Sequence, residues 1–146
     1  MERDQLTELW NDMWDEGNWV PSMPDSLANM TAADALWTPG PNCHSIWQEV
    51  THLIFWRQVT LNRMSGGPGP SDETVLREEF ATPELPSEEA WAEAILELKR
   101  TQESLAAAIQ DESIDVSRLP YHLIHDAYHL GRITQLRAMQ GRPPKF

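Results

Sequence analysis

The sequence contains a single cysteine, Cys43, among its 146 residues. One thiol cannot form an internal disulfide, and it cannot supply the several thiolates of a cysteine-rich zinc site. A chain of this length can bury a hydrophobic core without such crosslinks. We therefore expect a single domain over residues 1–146.

Basic residues and long apolar runs are also scarce. The chain has 11 Lys and Arg residues against 23 Asp and Glu residues, which gives a formal net charge of −12 at pH 7. Nucleic acids and anionic membranes are bound largely through basic side chains, so we expect neither as a partner. No apolar run approaches the roughly 18 residues of a membrane span. The charged start "MERDQLTELW" lacks a secretion signal, so we expect a cytoplasmic protein.

Four stretches carry apolar residues at helical spacing, and no stretch keeps the alternation of a strand. The pattern predicts helices over about 2–16, 45–64, 87–110 and 120–141. It also predicts a short helical turn at "AADALW" after Thr31, and at most one or two turns within 74–86. Prolines interrupt "VPSMPDSLANM", which receives no predicted helix. Four helices in one small domain favour an all-α four-helix bundle.

Three of the five histidines lie in the last predicted helix, within "HLIHDAYHLGR". On a helical wheel His122, His125 and His129 share an arc with Ile133 and Leu136, which indicates that this arc faces inward. Buried imidazoles need partners, and two residues four apart can converge on one metal ion. The spacing alone leaves two interpretations of the pair four residues apart. They are metal ligands, or they are core side chains bonded to backbone or carboxylate groups.

A tight metal site needs a third ligand from another helix, and His52 in "EVTHLIFW" is the candidate. Its role cannot be settled by periodicity, because the predicted helix is apolar nearly all round. His122 could be a further ligand, a group that supports the ligands, or a polar residue at the mouth of the site, and the last two are favoured. His44 is expected to be a surface or capping residue.

Two stretches, "PGPNCHSIWQEVTHLIFWRQ" and "LIHDAYHLGRITQLRAMQGRPP", resemble the DinB-like family, also called the DinB/YfiT-like metalloproteins. Members carry a lone histidine on the second helix and H-x-x-x-H followed by G-[QR]-I on the last. Here His52, His125 and His129 match these histidines, and Arg132 stands where many members have Gln. The stretch "WDEGNWVPSMPDSLANMTAADALW" is also similar to the family. The resemblance implies an up-down-down-up four-helix bundle that binds a divalent metal through the three histidines.

The resemblance also implies a chemistry. Three neutral imidazoles leave the charge of a metal uncompensated and at least one coordination position open, as in catalytic sites. That position can activate a thiol or a water molecule. Characterised relatives include S-transferases and isomerases that use mycothiol, bacillithiol or glutathione, so we expect metal-assisted attack of such a thiol on a small electrophile. The alternatives are a metal-dependent hydrolase and a stress-response protein that binds metal without turnover.

Four charged residues near the motifs are candidates for a role. Arg57 or Arg132 would bind an anionic part of the cosubstrate, although a solvated arginine is the commoner fate. Glu49, one turn before the second-helix histidine, could orient a ligand or act as a general base, but a solvated glutamate is favoured. Asp126 lies about 100° from His125 on the wheel, so we expect it at the surface or in helix packing.

Four expectations complete the interpretation. Tyr128 could reach the rim of the metal cavity, but a core position is favoured, and Cys43 receives no role. Histidine ligands suit zinc, nickel, copper and iron, and zinc or nickel is favoured here. Family members often dimerise, so we expect a homodimer.

Overall fold

The computed structural model describes residues 1–17 and 19–143, and all regular secondary structure in these residues is helical. The helices are α1 (Arg3–Asp15), α2 (Met23–Leu27), α3 (Ala32–Leu36), α4 (Ile46–Met64), α5 (Asp72–Glu78), α6 (Glu88–Gln110) and α7 (Leu119–Met139). The predicted all-α class is confirmed. Among the described residues, no helix is both long and apolar enough to cross a bilayer.

The long helices begin where the capping chemistry places them. Ser45 and Gln48 form a reciprocal pair of hydrogen bonds with each other's backbone amides at the start of α4. The Ser87 hydroxyl accepts from the Ala90 amide at the start of α6. Both contacts satisfy amides that have no partner within the helix. Gly141, with φ of 74°, follows α7 in the left-handed conformation that commonly ends a helix.

Two short helices differ from the prediction. Helix α2 lies in the proline-containing stretch for which no helix is predicted. It forms because the Ser22 hydroxyl accepts from the Asp25 amide and Pro24 occupies the first turn. Proline is tolerated there, since first-turn amides have no helical acceptor. Helix α5 has the expected length but begins at Asp72, two residues earlier than the predicted stretch.

Contacts between the long helices define their relative directions. The pairs are Glu49–His129 and Thr60–His122 between α4 and α7, Trp47–Trp91 and Arg57–Thr101 between α4 and α6, and Arg3–Ile109 and Trp10–Gln102 between α1 and α6. Helix α4 therefore runs antiparallel to α7 and parallel to α6, and α1 runs antiparallel to α6. This order agrees with the up-down-down-up bundle that the resemblance implies.

The core between these helices is built from large side chains. Trp10, Leu53, Leu98 and Leu130 have no exposed surface, and each contributes about 1.5–3 kcal/mol by leaving water. The Trp10 indole also donates to the Gln102 carbonyl oxygen over 3.1 Å. The packing holds α4 and α7 against each other, and the buried polar residues of the protein concentrate at that contact.

Candidate metal centre

Three histidines meet where α4 and α7 pack. His52 lies on α4, whereas His125 and His129 lie one turn apart on α7. One nitrogen of each imidazole lies within 4.8 Å of the other two, and the Nε2 atoms of His52 and His125 are 3.1 Å apart. Two nitrogens bound to one tetrahedral zinc are about 3.4 Å apart. The structure thus brings together the three residues predicted as ligands, at a spacing that suits one ion.

The environment of His52 favours the neutral form that binds metal. His52 and His129 are buried, and the side chain of His125 is 29% exposed. Burial, and then charge repulsion from His129 and His125, lowers the pKa of His52 to about 3. His52 is therefore neutral at pH 7, as a metal ligand must be. Three imidazole donors with this burial fit a divalent transition metal.

A carboxylate lies next to the Nδ1 atom of each of the three histidines. The pairs are Glu49 Oε2 with His129 at 2.6 Å, Asp126 Oδ1 with His125 at 3.2 Å, and Glu79 Oε2 with His52 at 3.5 Å. In metal sites such carboxylates fix the tautomer and orientation of the ring and raise the basicity of the other nitrogen. The hydrogen bonds at Nδ1 leave Nε2 of His125 and His129 as the metal-binding atoms. Nδ1 of His52 makes no hydrogen bond, and its Nε2 is the atom that lies 3.1 Å from Nε2 of His125.

Glu49 is fully buried, so the expectation of a solvated glutamate is wrong. It lies in the first turn of α4, where its Oε2 accepts from His129 and its Oε1 lies 2.9 Å from Nε of Arg132. The arginine balances the buried charge that would otherwise be costly. Of the two roles considered for Glu49, the geometry matches an acceptor that orients a ligand.

Asp126 and Arg57 form a buried ion pair in which Arg57 Nε donates to Oδ2 over 2.8 Å. Burial alone would raise the pKa of Asp126, but Arg57 and the adjacent His122 and His125 outweigh it and hold the pKa well below its usual value. Of the two expected positions of Asp126, the surface is wrong, whereas helix packing agrees with its buried pair between α7 and α4. His125 lies at the edge of the buried arc of α7. A residue about 100° away on the inner side, as Asp126 is, therefore still lies within that arc.

Arg57 is enclosed on several sides, which also contradicts the expectation of a solvated side chain. Its guanidinium lies 5.0 Å from the Trp10 ring and contacts the Leu98 carbonyl and the Thr101 hydroxyl. With no exposed surface and its charge paired to Asp126, it is poorly placed to bind a cosubstrate. This geometry argues against the predicted binding role of Arg57.

Glu79 and Phe80 join the site although no sequence pattern reveals them. They directly follow α5, and the Phe80 ring stacks on His52 at 4.3 Å and on His44 at 3.7 Å. The Trp56 indole donates to Glu79 Oε2 over 3.3 Å. The segment after α5 thus supplies an aromatic ring, Phe80, that covers His52, and a carboxylate, Glu79, that lies beside it. Helix α5 is too short to show periodicity, so its contribution had no signal in the sequence.

His122 supports the site from the next turn of α7. Its Nδ1 lies 3.0 Å from the Thr60 hydroxyl, and its Nε2 lies 3.2 Å from Asp126 Oδ1. His122, His125 and Asp126 also bring potential ligand atoms together. That second group is less suited to a cation, because Asp126 is already paired with Arg57.

The remaining candidates lie at the periphery. His44 is partly buried against Phe80, and Cys43 is exposed. Tyr128 is 60% exposed, so its expected core position is wrong, and its ring contacts His129 edge-on at 5.0 Å. Arg132, 38% exposed, donates to the Tyr128 hydroxyl and is the accessible member of the two predicted anion-binding arginines.

A cleft of about 550 Å³ reaches the candidate metal centre at His125, the one predicted ligand in its lining. Trp56, His122, Arg63 and Arg118 contribute to its walls. A second hollow of about 590 Å³, lined by Tyr128 and Arg132 among others, has none of the three predicted ligands in its wall. The first cleft is therefore the approach by which a small molecule would reach the site.

Replacing Glu49 by glutamine should weaken metal affinity by about 10- to 100-fold, since the amide cannot provide the carboxylate that orients His129. Competition with a chromophoric chelator measures this affinity. Glu93→Gln makes the same chemical change at an exposed ion pair with Arg100 and should leave the affinity unchanged. Equal affinities for the two variants would contradict the role of Glu49.

The family model of the DinB superfamily matches residues 20–136. No curated protein and no solved structure matches the chain. The matched range includes the three histidines and the three carboxylates that contact them.

Proposed function

The chain belongs to the DinB superfamily, and from this premise we propose that it binds a divalent metal through His52, His125 and His129 and activates a low-molecular-weight thiol. The thiol would attack a small electrophile in an S-transfer reaction. The observation that carries the proposal is the convergence of three imidazoles on one point, with the Nδ1 atoms of His129 and His125 hydrogen-bonded to carboxylates. Core packing does not require three imidazoles to converge in this way, whereas metal binding does.

Residues of this chain have distinct tasks in the proposed reaction. His52 and His129 hold the ion from within the core, while partly exposed His125 holds it beside the cleft. Glu49 fixes the His129 ring, and Asp126 lies next to the Nδ1 atom of His125. When bound, the metal supplies a Lewis acid that stabilises a thiolate at neutral pH.

The donor set narrows the choice of metal without deciding it. Three neutral imidazoles suit zinc and nickel, which we propose first, and also iron and copper. Hard oxygen-seeking cations such as magnesium and calcium are poorly matched, since the ligand atoms are nitrogens.

The position of Glu49 favours thiol activation over the hydrolytic alternative. Hydrolysis by bound hydroxide needs a placed general acid or base, for which Glu49 is the candidate. Glu49 is fully buried and engaged by both His129 and Arg132. A thiol needs no such group, because ionisation at the metal already produces the nucleophile.

Cobalt-substituted protein tests the proposal directly. Addition of a binding thiol should produce a saturable thiolate-to-metal absorption band, because sulfur enters the open coordination position. The His129→Ala variant under the same conditions is the control and should give no band. Absence of a band with glutathione, a neutral thiol and other common thiols at millimolar concentration would refute thiol activation.

The expected homodimer stays a prediction. Sedimentation velocity at micromolar protein gives the mass in solution and decides between one and two chains.

A further inference from the structure

Two arginines of the described chain differ from its other basic residues. Arg63 and Arg118 alone have no ion pair or hydrogen bond from the guanidinium to another described residue. Both are exposed. The chain has 23 acidic residues against 11 basic ones, so carboxylates are abundant as partners. Unpaired guanidinium groups in such a chain are available to an anion from outside.

Both arginines line the cleft that reaches the candidate metal centre at His125. Arg63 lies in the last turn of α4, and Arg118 immediately precedes α7. These two positions come to the same end of the site because α4 and α7 are antiparallel. Thr60 and His122, which contact each other between the two helices, line the same cleft. One continuous surface therefore connects the arginines with His125.

The separation along α7 suits one small molecule. Arg118 precedes His125 by seven positions, which corresponds to about 10 Å along a helix axis. A compound of tripeptide size can extend over such a distance. Its sulfur end could reach the ion at His125 while its other end lies between the two guanidinium groups.

Resting on the proposed thiol chemistry, we propose that Arg63 and Arg118 bind the carboxylates of the cosubstrate and thereby select an anionic thiol over a neutral one. Guanidinium groups pair with carboxylates through two parallel N–H donors, which gives orientation as well as attraction. Asp115 lines the same cleft and offers a carboxylate to an ammonium group. Two arginines and one aspartate thus complement a thiol that carries two carboxylates and one amine.

The inference separates the thiols that the resemblance suggests. Glutathione and bacillithiol carry carboxylates and an amine, whereas mycothiol is a neutral sugar conjugate. The cleft chemistry assigns the first class to this protein. Arg132, the more accessible of the two arginines predicted to bind an anion, lines the second hollow and is engaged by Glu49, so it is not needed for this recognition.

Titration of cobalt-substituted protein with two probe thiols tests the inference. Glutathione should give the thiolate band at a concentration at least tenfold lower than uncharged N-acetylcysteamine. In the Arg63→Gln, Arg118→Gln double variant the two thiols should become equivalent, with the metal content unchanged. Arg100→Gln, which removes one charge from an exposed ion pair on α6, should behave like the wild type. A double variant that keeps the preference for glutathione would overturn the inference.

A third probe separates this inference from the proposed function. S-methylglutathione keeps both carboxylates but cannot form a thiolate, and its binding is followed by ligand-detected NMR. Binding to wild-type protein that is lost in the double variant supports the anion site, even where no thiol gives a band. If S-methylglutathione does not bind the wild type at millimolar concentration, the anion site is refuted whatever the thiols do.

Discussion

Replacement of His52, His125 or His129 by alanine, each alone, should lower metal affinity by more than about 100-fold, beyond the loss caused by removing a residue that merely orients a ligand. Three donors are the least that hold a catalytic divalent ion, and two would compete poorly with water and chelator. Elemental analysis after dialysis against a mild chelator measures the effect. Each variant should retain much less than one ion per chain.

His122→Ala is the matched control, because it removes a buried imidazole from the same face of α7. This variant should keep its metal, since His122 contacts Thr60 and Asp126 instead. Loss of metal in His122→Ala together with full retention in His52→Ala would move the site to the group of His122, His125 and Asp126. Circular dichroism of each variant confirms that the helices are intact.

Replacement of Arg57 by methionine should reduce the free energy of unfolding by about 3–5 kcal/mol, because it leaves the Asp126 carboxylate buried without its cation. Methionine retains most of the apolar length of the side chain, so lost packing contributes less. Urea unfolding of metal-free protein measures the change. Arg100→Met breaks an exposed ion pair and should cost less than about 1 kcal/mol.

The pH dependence of this effect has a definite sign. The pKa of Asp126 is depressed in the folded protein, so its pair with Arg57 stabilises the fold above the unfolded pKa of about 4. That stabilisation is lost as the pH falls through the folded-state value. The difference between wild type and Arg57→Met should therefore be full at pH 7 and shrink under strong acid. A difference that does not depend on pH would show that lost packing, rather than the charge pair, is responsible.

The long helices could be predicted from the sequence because their signals are local. Ser45 and Ser87 cap amides within three residues, and the apolar spacing of each helix lies within its own stretch. The three histidines needed more than spacing. His125 and His129 form a pattern within one helix, but only the family resemblance connects them with His52.

The burial of Glu49 and Asp126 and the approach of Glu79 to His52 could not be predicted, for three different physical reasons. Glu49 is buried because Arg132 and His129 arrive from another helix, which no local pattern records. The angle between Asp126 and His125 on the wheel does not reveal that Asp126 is buried, because His125 itself lies at the edge of the buried face. Glu79 lies beside His52 because the chain after α4 returns to the site, and α5 in this segment is too short to show a helical repeat of apolar residues.

These three carboxylates also differ in how firmly they are held. Glu49 and Asp126 lie on long helices that pack on the core, whereas Glu79 follows α5, none of whose seven residues is buried. Short segments with little buried surface open locally at a much lower free energy than the helices they cover. Such opening would withdraw Glu79 from His52 and Phe80 from its stack while α4 and α7 stay folded. The rate of metal exchange would then be governed by a small local fluctuation, which amide hydrogen exchange over 72–80 resolves, rather than by unfolding of the bundle.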